Sequence, residues 1–176
     1  MVLLTNDDDG SEPDEPAAGL TPSPEEIDEL ADRTLTESIE KEEAGLKVSY
    51  PEGWKRSERS GIVTLESPDQ CTAISFATPV AAAQAKRLRE DSIAALRRTF
   101  KKIELRRGTA QEVGGAPTTG AAIAVRNKQG NPILIRLAVS RAKEFAHLTQ
   151  VVLRAPPCEN SDTQTALILG SVEFTR

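Results

Sequence analysis

Aromatic side chains are scarce: one Trp, one Tyr and four Phe in 176 residues. Histidine occurs once and cysteine twice. One His and two Cys cannot furnish a four-ligand zinc site of the usual kind, so no metal is expected. No apolar run approaches the roughly 20 residues of a membrane-spanning helix, so the chain as written is not expected to cross a bilayer. A phosphate-binding P-loop, a dinucleotide fingerprint and a zincin pair are all missing, and no cofactor is expected. The sequence names no reaction.

What is present is charge, unevenly placed. The net charge is -5, yet residues 1–46 hold 15 acids against two bases, Arg33 and Lys41. Residues 47–176 hold 12 acids against 20 bases. An acidic arm thus precedes a basic domain, an asymmetry typical of interaction tails. Residues 1–23 combine Asp7, Asp8, Asp9, Glu12, Asp14 and Glu15 with Pro13, Pro16 and Pro22. They bury too little apolar surface to offset their ordering entropy and are expected to form a disordered acidic linker. The apolar stub Met1-Val2-Leu3-Leu4 does not match this linker. It reads either as an ordinary start or as the end of a membrane anchor preceding residue 1. The second reading places the domain outside the cytoplasm, tethered to the cell membrane by a segment missing from this chain.

Residues 24–43 read as a short helical extension and residues 44–176 as one domain. Ser23, Pro24 and Glu26 make a helix start with a capping box. Ile27, Leu30, Ala31 and Leu35 share a helical face, while residues 34–40 suit either the end of that helix or a short strand. From Leu46 the period becomes two: Leu46, Val48 and Tyr50 alternate before the turn Pro51-Glu52-Gly53. Strands are expected at Ile62–Leu65 and Cys71–Ala77. A helix over 80–100 carries the stripe Ala85, Leu88, Ser92, Leu96 and Phe100. Strand-like patterning then runs to residue 154, with a hairpin loop at Asn127–Pro132. The Ala-rich strand 121–125 is expected to face a helix. A second capping box, Ser161-Asp162-Thr163-Gln164, opens a last helix ending at Gly170, and Val172 and Phe174 close the domain in a strand. The order predicts an α+β sandwich, an antiparallel sheet flanked by helices.

Three segments carry a family likeness. Gly45-Leu46-Lys47-Val48-Ser49-Tyr50-Pro51-Glu52-Gly53-Trp54 resembles the opening of PsbP-like domains. These include the extrinsic photosystem subunit, the Ran-binding Mog-type proteins and bacterial lipoproteins of the LpqN type. Val113-Gly114-Gly115-Ala116-Pro117 resembles the family's turn before the central hairpin, and Ile168–Phe174 resembles its helix-to-strand ending. The likeness covers about residues 44–176. It implies an α/β/α-type sandwich that binds partner proteins without catalysis, often at a membrane surface. It supplies no catalytic residues and implies neither photosystem nor Ran binding.

Cys71 and Cys158 are expected to form a disulfide in an oxidising compartment, with two free thiols in a cytosolic protein as the alternative. His147 lies in a strand with no sequence partner, which favours a surface or satisfied strand histidine over a Cys–His catalytic pair. Trp54 is expected to anchor the core. Lys86, Arg87, Arg89, Arg97, Arg98, Lys101, Lys102, Arg106 and Arg107 place nine bases in 22 residues. Of these, Lys86, Arg87, Arg97, Arg98, Lys101, Arg106 and Arg107 form the candidate binding surface, the alternative being a solvated helix face. Its partner would be a protein or an anionic membrane or envelope surface. Nucleic acid does not suit it, because the segment offers only Phe100 for stacking, on the apolar stripe. The leading expectation is a non-catalytic extracytoplasmic binding domain. The alternative is a carrier of a small apolar or lipid ligand in a pocket between sheet and helices.

Overall fold

The computed structural model describes residues 24–100, 102–106, 112–156 and 158–176. The acidic linker expected over 1–23 lies outside the described residues, as do Lys101 and Arg107 of the expected basic surface. In chain order the elements are α1 (Pro24–Thr34), β1 (Glu37–Lys41), β2 (Leu46–Tyr50), β3 (Lys55–Arg59), β4 (Ile62–Glu66), β5 (Thr72–Phe76) and β6 (Val80–Ala81). A 3-10 turn (Ala82–Gln84) leads into α2 (Ala85–Thr99), followed by β7 (Glu104–Arg106), β8 (Thr118–Arg126), β9 (Pro132–Ala142) and β10 (Phe145–Arg154). The chain ends with α3 (Ser161–Gly170) and β11 (Glu173–Phe174). None of the described helices is long and apolar enough to cross a membrane.

Two antiparallel sheets result. The small one has order β1-β2-β11, and the large one β3-β4-β5-β10-β9-β8-β7 with β6 added beside β10. The alternation in the sequence explains the layering. In β2 and β5 every second side chain is buried, and the intervening ones are half-buried. One face of the large sheet, carrying Ile74, Phe76, Val151 and Leu153, packs on Leu46, Val48, Trp54 and Ile168 from the small sheet, its following turn and α3. The opposite face, carrying Ile123, Val125, Ile135 and Leu137, packs under Leu96, Ile93 and Phe100 of α2 and its end. The protein is therefore the expected α+β sandwich, and Trp54 is a core anchor.

Several local expectations differ from what forms. For residues 34–40 the strand alternative is the one that forms, over 37–41 paired with β2. β3, Lys-Arg-Ser-Glu-Arg, was not foreseen: all five residues are exposed at the sheet edge, so burial imposes no alternation. Charged edge strands of this kind resist pairing with other chains. The Ala-rich strand β8 does face α2, as expected, on the side that carries Ala121, Ile123 and Val125, but two of its alanines point the other way. Ala122 and Ala124 share a face with Arg136, opposite the side that α2 covers, and stay half-buried. The capping box at Ser161 does not form either. Asn160 precedes the helix in a left-handed conformation without a side-chain cap, and Ser161 Oγ donates to the Cys158 carbonyl at 2.8 Å.

The Val113–Pro117 turn touches the end of α3 at a point where only glycine fits. Gly114 N–H donates to the Leu169 carbonyl at 2.9 Å. Its φ is +56°, and a Cβ there would lie 2.2 Å from the Val172 carbonyl oxygen. Gly115 has a similar φ, +64°, but its Cβ would meet nothing within 4 Å. Both Gly→Ala changes should cost left-handed strain, but only Gly114→Ala adds a backbone clash. Urea unfolding should show Gly114→Ala less stable than Gly115→Ala by about 1–3 kcal/mol with an unchanged m-value. Equal losses would refute the packing argument.

Candidate functional site

α2 presents the expected basic residues, and its geometry divides them. At 3.6 residues per turn, positions eleven apart share a side, so Lys86 lines up with Arg97 and Arg87 with Arg98, roughly 16 Å further along the axis. The N-terminal pair is offset by acids one turn on: Lys86 lies 3.9 Å from Glu90, and Arg87 lies 3.5 Å from Asp91. Arg97 and Arg98 are exposed in the last turn and form no ion pair among the described residues. They complement the negative end of the helix dipole. Arg106 does not join them. It sits opposite Ala122, and so on the sheet face away from α2, 3.5 Å from Glu104. The cationic surface of α2 is therefore concentrated at its C-terminal end.

Cys71 and Cys158 are bonded, with Cα atoms 6.1 Å apart and a sequence separation of 87. The turn before β5 delivers Cys71. Ser67 Oγ accepts from Cys71 N–H at 3.1 Å and Thr72 N–H at 3.0 Å, and donates to Asp69 at 2.6 Å. The Ser67 hydroxyl and the Cys71 N–H hold the Asp69 carboxyl below its ordinary range. The bridge ties this turn to the loop that opens α3.

His147 is 1% exposed, on the β10 face toward the small sheet. Its ring lies 4.4 Å from that of Phe174, between the large sheet and β11. Neither ring nitrogen has a hydrogen-bond partner among the described residues, so the histidine is neither at the surface nor satisfied, contrary to expectation. Burial pushes the imidazole below its ordinary pKa, and backbone groups at Arg176 and Ala44 offset this in part. The histidine is a core residue far in structure from both sulfurs, which are spent on each other.

A cavity of about 570 Å³ opens at one end of the large sheet. Its floor includes Ala73, Ile133 and Val152, and the disulfide forms part of its wall. Glu66, Gln70, Asn127, Asn131 and Arg154 add polar groups. It is not the pocket between sheet and helices expected of an apolar carrier, because that interior is filled by core side chains. Sequence reasoning could not find it: its residues come from three segments that are brought together by strand pairing.

The sequence matches no protein-family model, and it matches no curated protein. Its fold, by contrast, is shared with solved structures. It is similar to cyanobacterial PsbP from Synechocystis, with a TM-score of 0.52 and 12% identity over 78% of this chain and 91% of that one. The Ran-binding protein Mog1p of Saccharomyces cerevisiae aligns with a TM-score of 0.50 and 11% identity over 79% and 95% of the two chains. A Bacteroides thetaiotaomicron protein aligns with a TM-score of 0.54 and 13% identity over 79% of this chain and 48% of its own. The chain thus spans about half the length of that last structure. The fold is PsbP/Mog-like, as the three sequence segments imply.

Two measurements follow. Cutting the disulfide frees an 87-residue loop in the unfolded chain, so reduction should lower the unfolding free energy by about 4–5 kcal/mol in the chain-entropy picture. Urea unfolding with and without reductant reads this directly, and an unchanged midpoint would rule it out. For His147, the folded pKa lies below the ordinary histidine value of 6.5. As pH falls below 6.5, the unfolded chain takes up a proton before the folded chain does, so stability is lost on acidification toward the lower folded pKa. His147→Leu should remove that component of the pH slope, and a variant with the wild-type slope would exclude His147 as its source.

Proposed function

We propose that this protein is a non-catalytic, extracytoplasmic binding domain that docks an anionic partner through the C-terminal end of α2. The observation that carries the reading is the exposed pair Arg97 and Arg98, which no acid offsets among the described residues. Lys102 continues the same charge beyond the helix. The compartment is supported by the disulfide, since such bridges persist where the surroundings are oxidising. Absence of catalysis is supported by the state of the usual reactive groups. Both sulfurs are bonded to each other, and the one imidazole is buried. Binding of a protein partner also accords with the Ran-binding neighbour, although the likeness to it is one of fold.

The partner would be an acidic protein or an anionic membrane surface, where each base contributes roughly 1 kcal/mol. Co-sedimentation of the full chain with phosphatidylglycerol vesicles, phosphatidylcholine vesicles and polyglutamate tests the reading. Binding to an anionic probe is expected, weakening as salt rises. Reversing Arg97 and Arg98 to Glu should reduce it at least about tenfold. Equal binding to neutral vesicles, no binding to any anionic probe, or insensitivity to the reversal would overturn the proposal.

A further inference from the structure

Large apolar side chains left in solvent are few, and two of them stand together. Among the described residues they are Ile27, Leu30, Ile62 and Leu105. A single exposed side chain of this kind is ordinary. Ile27 and Leu30 are not single: they lie three apart on α1, at 42% and 45% exposure, with Ala31 half-buried one position on. Residues three and four apart share a helix face, so α1 turns an apolar stripe to solvent. A helix this short does not hold itself together. Isolated helices below about 12–15 residues are marginal in water and depend on packing of the apolar face. α1 has 11 residues, and most of that face is uncovered.

The charge of the helix defines the surface that would cover it. The segment Pro24–Thr34 holds five acids and one base, Arg33, which pairs with Glu29. An anionic membrane repels such a helix. Its complement is an apolar patch set among bases.

The protein carries that patch. Where α2 ends, Phe100 and Ile103 pack on the margin of the cluster beneath it and stay half-buried. Leu105 pairs with Ile123 of that cluster, which puts it on the same sheet face, and it is 47% exposed. Arg97 and Arg98 in the preceding turn, and Lys102 between Phe100 and Ile103, are exposed. Apolar and cationic groups thus occur together at the α2–β7 end, as apolar and anionic groups do on α1.

Within one chain the two surfaces do not meet. Leu35, directly after α1, packs on the core beneath the small sheet, and Glu37 begins β1 of that sheet. α2 and Leu105 belong to the opposite face of the large sheet. Both surfaces are exposed in the same structure, so the matching surface is that of a second molecule.

We propose that α1 of one copy docks on the α2–β7 end of a second copy, with Ile27, Leu30 and Ala31 on Phe100, Ile103 and Leu105. The negative charge of α1 then meets Arg97, Arg98 and Lys102. This rests on the docking reading above and names its anionic partner as another copy of this chain. The contact joins two different patches, so it closes where two chains dock reciprocally and otherwise runs on into open chains. One 11-residue helix covers less than the about 1,200 Å² of a standard interface, so the association is weak and depends on concentration.

Sedimentation velocity of the oxidised full chain from micromolar to millimolar tests this. Concentration-dependent association is expected, weakening as salt rises. Ile27→Ser with Leu30→Ser should weaken it at least about tenfold, as should Arg97→Glu with Arg98→Glu. All four side chains are exposed, so the urea midpoints should stay near that of the unaltered chain. Ile62→Ser, which removes an exposed apolar side chain elsewhere, should leave association unchanged. Mixing the two double variants brings one intact α1 to one intact α2–β7 end. The isotope-labelled Ile27→Ser, Leu30→Ser chain should therefore show saturable amide shifts at Ile103 and Leu105 on titration with the Arg97→Glu, Arg98→Glu chain, and none with itself. The proposal is overturned by absence of association at millimolar chain, by association indifferent to the α1 substitutions, or by mixed variants that leave Ile103 and Leu105 unmoved. If polyglutamate binding responds to the Arg reversal while the chain stays monomeric, the docking reading stands and this inference alone fails.

Discussion

The close approach of the Gly114 backbone to the α3–β11 junction is the constraint on which the small sheet depends. Gly114 N–H reaches the Leu169 carbonyl, and the Val172 carbonyl occupies the space a Cβ would need. At the same junction Ser171 Oγ accepts from Ser49 N–H at 3.0 Å. The same hydroxyl lies 3.0 Å from the Ser49 carbonyl and 2.8 Å from that of Ile168, either of which can take its proton. Helix, small sheet and turn are thereby fixed to one another through backbone atoms. Phe174 then covers His147, and the last residues return to Gly45 through the bond from Thr175 N–H at 2.9 Å. Backbone contacts of this kind tolerate change in side chains elsewhere, which suits a fold shared at 11–13% identity.

That joint also explains what could be read in the sequence. The three segments that resemble PsbP-like domains are distant along the chain, yet they meet here: the β2 segment, the glycine turn and the end of α3. Three of the residues that carry the likeness have a geometric duty here, Gly114 in close approach, Ser171 as a link and Phe174 as a cover. The α2 stripe and the β2 and β5 alternation were legible because one face of each is buried. The cysteine pairing was legible because two cysteines allow a single bridge. β3 was not, since an all-exposed charged strand carries no periodic signal. Arg106 was misassigned for a related reason: proximity in sequence to α2 says nothing about the sheet face, which depends on strand register. The cap of α3 failed because Ser161 is drawn to the Cys158 carbonyl within the disulfide loop.

The division of charge along α2 is likewise local in origin. Acids occur four residues after Lys86 and Arg87, whereas Ile93 and Ala94 stand four residues before Arg97 and Arg98. Exposed pairs of the first kind contribute little to stability. They do cancel the field that a distant anion would feel, and the second kind leaves it in place. The helix end that bears Arg97 and Arg98 is fixed beneath by Leu96, which is buried against Ile123, Val125, Ile135 and Leu137. Ile133 and Val152 belong to the margin of that same cluster and also to the floor of the cavity. The floor of the cavity is therefore continuous with the core that supports the proposed docking end of α2. A close-packed interior transmits displacement instead of absorbing it. Displacement at Ile133 or Val152 would therefore act on the packing beneath Leu96, and through it on the end of α2 that bears Arg97 and Arg98.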